Sequence, residues 1–105
     1  VKASAMQLFP LLCQSHGIPA PTPEHPFALE LGRKWRFDWA WVNRAIALEI
    51  EGGAWIGGRH NRGSGFVKDL EKYNTAALLG WRIFRCLPKQ VASGEVFEFL
   101  RVALK

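Results

Sequence analysis

The chain has 105 residues, 49% of them hydrophobic and 12% aromatic, which is the size and apolar content of one compact domain with a real core; a single domain over residues 1–105 is expected. No run approaches the roughly 18 apolar residues of a membrane span, and the first residues lack the order of a secretion signal, so a soluble, cytoplasmic protein without a membrane partner is expected. The net charge is +5, and its whole surplus lies in one half: between Arg59 and Lys89, Arg59, Arg62, Lys68, Lys72, Arg82, Arg85 and Lys89 stand against only Asp69 and Glu71. Such a half suits the phosphates of a nucleic acid.

In chain order, Met6, Phe9, Leu12 and Cys13 are spaced for a helix over about 3–15, with Pro10 inside it and His16-Gly17 at its end. The proline-rich run 18–23 reads as an extended strap, and 27–31 as a short strand. Trp35, Phe37, Trp39 and Trp41 then alternate with Arg36, Asp38 and Ala40, which predicts a half-buried strand over 33–41 whose tryptophans serve the core. A partner strand over 45–51 places Ile46, Leu48 and Ile50 on one face and Ala47, Glu49 and Glu51 on the other. The glycine-rich stretch 52–65 reads as a mobile loop that lets backbone approach a ligand. It is followed by a helix over about 65–79 with an apolar stripe of Phe66, Leu70, Tyr73 and Ala77. A strand over 81–87 and a last helix after Ser93, with Val96, Phe97, Leu100 and Leu104 facing inward, complete the chain. Cys13 and Cys86 sit in apolar surroundings without metal-ligand spacing and are expected as buried thiols. His16 and His25 are expected to be structural.

The chemistry lies in the hairpin. With Asn43 and Arg44 as its loop residues, and Asn43 suited to a left-handed turn conformation, Asp38 falls opposite Glu49 and Arg36 opposite Glu51, on the face away from the tryptophans. Opposed carboxylates repel, so something cationic is needed there. A divalent ion supplies that charge, taking Asp38, Glu49, Glu51 and the Ile50 carbonyl as ligands and activating water beside a phosphodiester. His60, between Arg59 and Asn61-Arg62, is placed to act as a base or to contact phosphate. Trp55 is available to stack on a base, and Arg59, Arg62 and Lys68 to contact the backbone.

The element order and the Asp38 … Glu49-Ile50-Glu51 spacing resemble the αβββαβ core of the PD-(D/E)XK nucleases. Arg36-Phe37-Asp38-Trp39-Ala40 and Glu49-Ile50-Glu51-Gly52-Gly53, followed by Trp55 and His60, are similar to very-short-patch repair endonucleases and their phage-borne relatives. So are Asp69-Leu70-Glu71-Lys72-Tyr73-Asn74 and Gly80-Trp81-Arg82-Ile83-Phe84-Arg85, and the likeness runs over roughly residues 24–87. It implies an α/β fold with a mixed central sheet and a C-terminal helix. It also implies a Mg²⁺-dependent endonuclease, with Mn²⁺ as a substitute, that leaves a 5′-phosphate on DNA in repair or recombination, in a nucleoid-associated setting and with a homodimer as one arrangement. The alternative is a DNA-binding module on such a fold that has lost catalysis. The sequence departs from the family twice. Its usual lysine, two residues after the glutamate, is Glu51 here, and Lys72 is the candidate replacement; the first helix lacks an acid that many relatives carry there, and Glu24 is the candidate for it.

Overall fold

In a computed structural model the chain is described over residues 2–52 and 64–105. The elements are α1 (Lys2–Ser15), β1 (Thr22–Pro26), β2 (Arg36–Trp41), β3 (Ile46–Ile50), α2 (Ser64–Leu78), β4 (Arg82–Cys86), α3 (Pro88–Ala92) and α4 (Glu95–Ala103). The fold is α/β, with one four-stranded mixed sheet in the order β1-β2-β3-β4. β1, β2 and β3 form an antiparallel meander, and β4 runs parallel to β3 after the α2 crossover.

Side-chain alternation along the two central strands sorts the helices into layers. Ile46 and Leu48 of β3 join Trp39 and Trp41 of β2 in a core built with Phe9 and Cys13 of α1 and Val96, Phe97, Leu100 and Ala103 of α4. The opposite face carries Ala40 and Ala47, whose small side chains let α2 approach through Ala76. The sheet therefore lies between α1 with α4 on one side and α2 on the other. Gly80, at φ 92, turns the chain out of α2, and the Trp81 amide closes the turn on the Ala76 carbonyl. Both cysteines are free and buried, as expected.

Several expectations change. The first strand is not 27–31 but Thr22–Pro26, which begins at the end of the proline-rich run, and Leu29–Leu31 is a turn of 3₁₀ helix. Proline suits this position because β1 is an edge strand, with only one side hydrogen-bonded to a neighbour. The approach to it is pinned by Trp41, whose indole N–H donates to the Pro19 carbonyl at 2.7 Å. The hairpin register is as expected, Trp41 facing Ile46 and Trp39 facing Leu48, but the turn spans Val42 to Ala45. Its left-handed residue is Ala45, at φ 53, and not Asn43. The aromatic stripe also divides: Trp39 and Trp41 enter the α1/α4 core, whereas Phe37 stacks on Phe27 at 4.1 Å and meets Trp81 edge-on. On α2 the buried face is turned from the expected stripe, since Ala76 is buried while Phe66, Leu70 and Ala77 are exposed. The short helix α3 was not foreseen. Among the described residues no helix is long and apolar enough to cross a membrane.

Candidate functional site

The regular β2–β3 ladder reaches Trp39 and Leu48, and beyond that point side chains take over the pairing. The Asp38 amide donates to Glu49 Oε2 at 2.8 Å, and the Ile50 amide donates to Asp38 Oδ2 at 2.8 Å. Two acids in facing positions thus satisfy each other's strand. Asp38 is half-buried and Glu49 is only 7% exposed, the sole charged residue among the buried described side chains.

A carboxylate so enclosed needs donors, and α2 delivers two of them to the same oxygen. Lys72 Nζ lies 2.6 Å and the Tyr73 hydroxyl 2.7 Å from Glu49 Oε1. With the Asp38 amide on the other oxygen, Glu49 accepts three hydrogen bonds. The positive charge that opposed carboxylates require is therefore present in the chain itself, as the Lys72 ammonium. Burial first, then the hydrogen bond and the charge of Glu49, push the Tyr73 hydroxyl far above the ordinary phenol range, so it stays a proton donor. Lys72 also lies 5.9 Å from the Phe37 ring centre, so the displaced ring roofs the pair.

The ion-pair partner of Glu51 is on β4. Glu51 accepts a hydrogen bond from Arg85 Nε at 2.9 Å, and that bond outweighs burial in raising the Arg85 guanidinium's pKa. Arg85 in turn lies over the Tyr73 ring, 4.6 Å from its centre. The Ile50 carbonyl accepts the Gly52 amide at 2.9 Å. Glu24 stands at φ 50 in β1, exposed, between the residues paired with Trp39 and Phe37 and so across from Asp38. Lys68 is exposed on α2. Trp55, Arg59, His60 and Arg62, with the expected glycine-rich loop, lie outside the described residues. His25 is tilted against the Trp81 ring, and burial lowers its pKa; His16 stacks on Phe97 at 4.2 Å. Both fit the structural role expected of them.

The structure thus brings Asp38, Glu49 and Lys72 together and sends Glu51 to a different partner. Among the described residues no group of three or more His, Cys, Asp or Glu side chains is arranged to hold a metal ion. Two carboxylates on neighbouring strands still suit Mg²⁺, which keeps several waters and binds through one or two carboxylates and a substrate phosphate. Two residues went unassigned in the sequence, Tyr73 and Arg85. Tyr73 stood in the apolar stripe of a helix, and the available signal was that a buried tyrosine hydroxyl must find an acceptor.

Two uncharacterized proteins of Mycobacterium tuberculosis, MT2308 and Rv2248, are each 30% identical to this chain over 73 residues, 70% of its length. The chain spans 26% of the length of these curated relatives. No family model and no solved structure matches the chain.

Proposed function

We propose that this chain is a metal-dependent DNA endonuclease of the PD-(D/E)XK type, and that Lys72 replaces the lysine missing at position 51. The observation that carries the reading is the Lys72 ammonium on Glu49 Oε1, beside Asp38, at the C-terminal end of β3. The α, β, β, β, α, β order with its mixed sheet supports it as well.

In this reading Asp38 and Glu49 would hold Mg²⁺, with the Ile50 carbonyl beside them. When bound, it would supply a Lewis acid for activating water and polarising the phosphodiester. The protein's own groups do the rest. The Asp38 amide fixes one oxygen of Glu49, and the Tyr73 hydroxyl and Lys72 fix the other. The Lys72 ammonium, held on a nearly buried acid, offers positive charge to the phosphoryl oxygens as the water adds. The phosphorus–O3′ bond breaks, which leaves a 3′-hydroxyl and a 5′-phosphate. Arg59, Arg62 and Lys68 contribute phosphate contacts, and His60 a proton acceptor or phosphate contact. A chain this small, with few elements to read bases, points to structure-directed cutting at a nick, mismatch or junction.

A second reading, a DNA-binding module without catalysis, draws on the pairing of Glu51 with Arg85, which occupies the acid in the position of the family's lysine. Incubating the purified protein with branched, mismatched and linear DNA in Mg²⁺ or Mn²⁺ separates the two. Cleavage that chelator abolishes, and that Asp38→Ala and Lys72→Ala lose, supports the nuclease. Binding without cleavage of any substrate in either metal overturns it in favour of the module.

A further inference from the structure

Glu51 occupies the position where the resemblance expects a lysine, while the lysine beside Glu49 arrives from α2. That exchange leaves an acid at the end of β3 to be accounted for. Its carboxylate starts a continuous chain of interactions. Glu51 Oε2 accepts from Arg85 Nε at 2.9 Å, the Arg85 guanidinium lies 4.6 Å from the centre of the Tyr73 ring, and the Tyr73 hydroxyl donates at 2.7 Å to the Glu49 oxygen that also takes Lys72.

Each link removes a freedom that the site would otherwise keep. A lysine is a point charge on a flexible four-carbon stem, and one acceptor does not fix where its ammonium sits. A second donor on the same oxygen fixes that acceptor, and Tyr73 supplies it from a ring with two torsions. The cation over the ring face holds those torsions, since a guanidinium is attracted to an aromatic face. Glu51 holds the guanidinium. The Glu51–Arg85 pair is partly exposed, with side chains 22% and 49% accessible. Pairs of that kind add little to folding stability, so an effect of Glu51 on turnover has to come through geometry.

We propose that Tyr73, steadied by the Arg85–Glu51 pair, is a positioning residue for the Glu49–Lys72 couple, and that Glu51 serves this clamp and not the metal. The inference rests on the nuclease reading above. It assigns a role to the acid that replaces the family's lysine: once the ammonium comes from α2, the vacated position anchors the residue that orients it.

The test compares wild type, Tyr73→Phe, Glu51→Ala and Glu51→Gln in steady-state DNA cleavage, with Mg²⁺ titration and urea unfolding of each. Tyr73→Phe keeps the ring under Arg85 and removes one hydrogen bond to a charged acceptor, so kcat is expected to fall about tenfold with KM unchanged. Glu51→Ala is expected to lower kcat in the same direction, and Glu51→Gln, which keeps an oxygen for Arg85, by much less. The Mg²⁺ concentration for half-maximal rate should be the same in Glu51→Ala as in wild type. Wild-type kcat in Tyr73→Phe, with only the urea midpoint lowered, overturns the clamp and leaves Tyr73 a structural residue. A raised Mg²⁺ requirement in Glu51→Ala overturns it by making Glu51 a ligand. Absence of cleavage by the wild type overturns the nuclease reading and takes the clamp with it, whereas an active wild type beside an equally active Tyr73→Phe overturns the clamp alone.

Discussion

Glu49 is the residue on which the donors of the site converge, and its burial gives a stability consequence that does not depend on any catalysis. Its two oxygens accept from Lys72, Tyr73 and the Asp38 amide. Replacing it with alanine leaves an ammonium, a phenol and a backbone amide facing a cavity, and breaking a buried pair from one side costs about 3 to 5 kcal/mol. Lys72→Met leaves a nearly buried carboxylate beside Asp38 with two neutral donors and no cation, so it should cost a comparable amount. Urea unfolding at neutral pH measures both. A negligible loss for Lys72→Met would show that the ion pair is not what holds this cluster together. Asp38 follows related logic. The sequence suggests that its removal relieves repulsion, but its carboxylate is the acceptor for the Ile50 amide, so Asp38→Ala is not expected to stabilise the metal-free protein.

At the scale of elements, the β2–β3 turn is where local strain is written most plainly. Ala45 is held at φ 53 and ψ 41 while its carbonyl accepts the Arg82 amide that starts the parallel pairing with β4. A left-handed conformation costs an L-residue roughly 1 to 2 kcal/mol that glycine does not incur. Part of the gain returns as glycine's greater freedom in the unfolded chain. Ala45→Gly should therefore raise stability by about 0.5 to 1 kcal/mol, seen as a higher urea midpoint with an unchanged slope; a lower midpoint would mean that the turn relaxes elsewhere. The hairpin itself was legible, because two alternating runs joined by a few residues leave one register that buries Trp39, Trp41, Ile46 and Leu48 together. β1 was not, since prolines at 23 and 26 argue against a strand until its place at the sheet edge is known. The working face of α2 was also hidden. Periodicity selects Phe66, Leu70, Tyr73 and Ala77, but of these only Tyr73 is not exposed, and Lys72 and Ala76 turn toward the face that carries Ala40, Ala47 and the buried Glu49. Asp38, Glu49 and Lys72 were each legible as chemistry, and the Glu49–Lys72 pairing was not, because it joins residues far apart in the chain whose meeting depends on that rotation.

Over the whole molecule, both thiols are buried deeply enough to couple folding to alkaline pH. Burial pushes Cys13 up to about 12, and burial with the nearby charges of Glu51 and Asp38 pushes Cys86 up to about 12, from an ordinary 9.0. For groups raised in the folded state, the stabilising contribution is complete below the unfolded value and is lost as pH rises toward the folded one. Stability should fall between pH 9.0 and about 12, and Cys13→Ala should flatten that fall; a fall of the same steepness in Cys13→Ala would assign the loss to other groups. Both thiols should also resist a thiol reagent at pH 8 until urea unfolds the chain.

The charge surplus is distributed differently from its count. Lys72 is committed to Glu49 and Arg85 to Glu51, while Arg33 takes up Glu71 at 2.8 Å. Lys68, Arg82 and Lys89 are exposed and enter no ion pair among the described residues, so they are cations available to a phosphate backbone, beside the Arg59 and Arg62 proposed for that role. Removing one cation that neutralises a phosphate should reduce the slope of log affinity against log salt by about 0.9 on duplex DNA. Charge reversal at Lys68 or Lys89 should then weaken binding to all sequences alike and flatten the salt dependence by about that amount each. Lys105, exposed at the end of the chain beyond α4, serves as the control, because screening at physiological salt confines an exposed charge to about 8 Å. Fluorescence anisotropy with a labelled duplex across a salt series gives all the slopes. If the Lys68 and Lys89 reversals keep the wild-type slope, or if Lys105 changes it as much as they do, the surplus acts as diffuse net charge and the DNA path does not run along α2 and the β4–α3 junction.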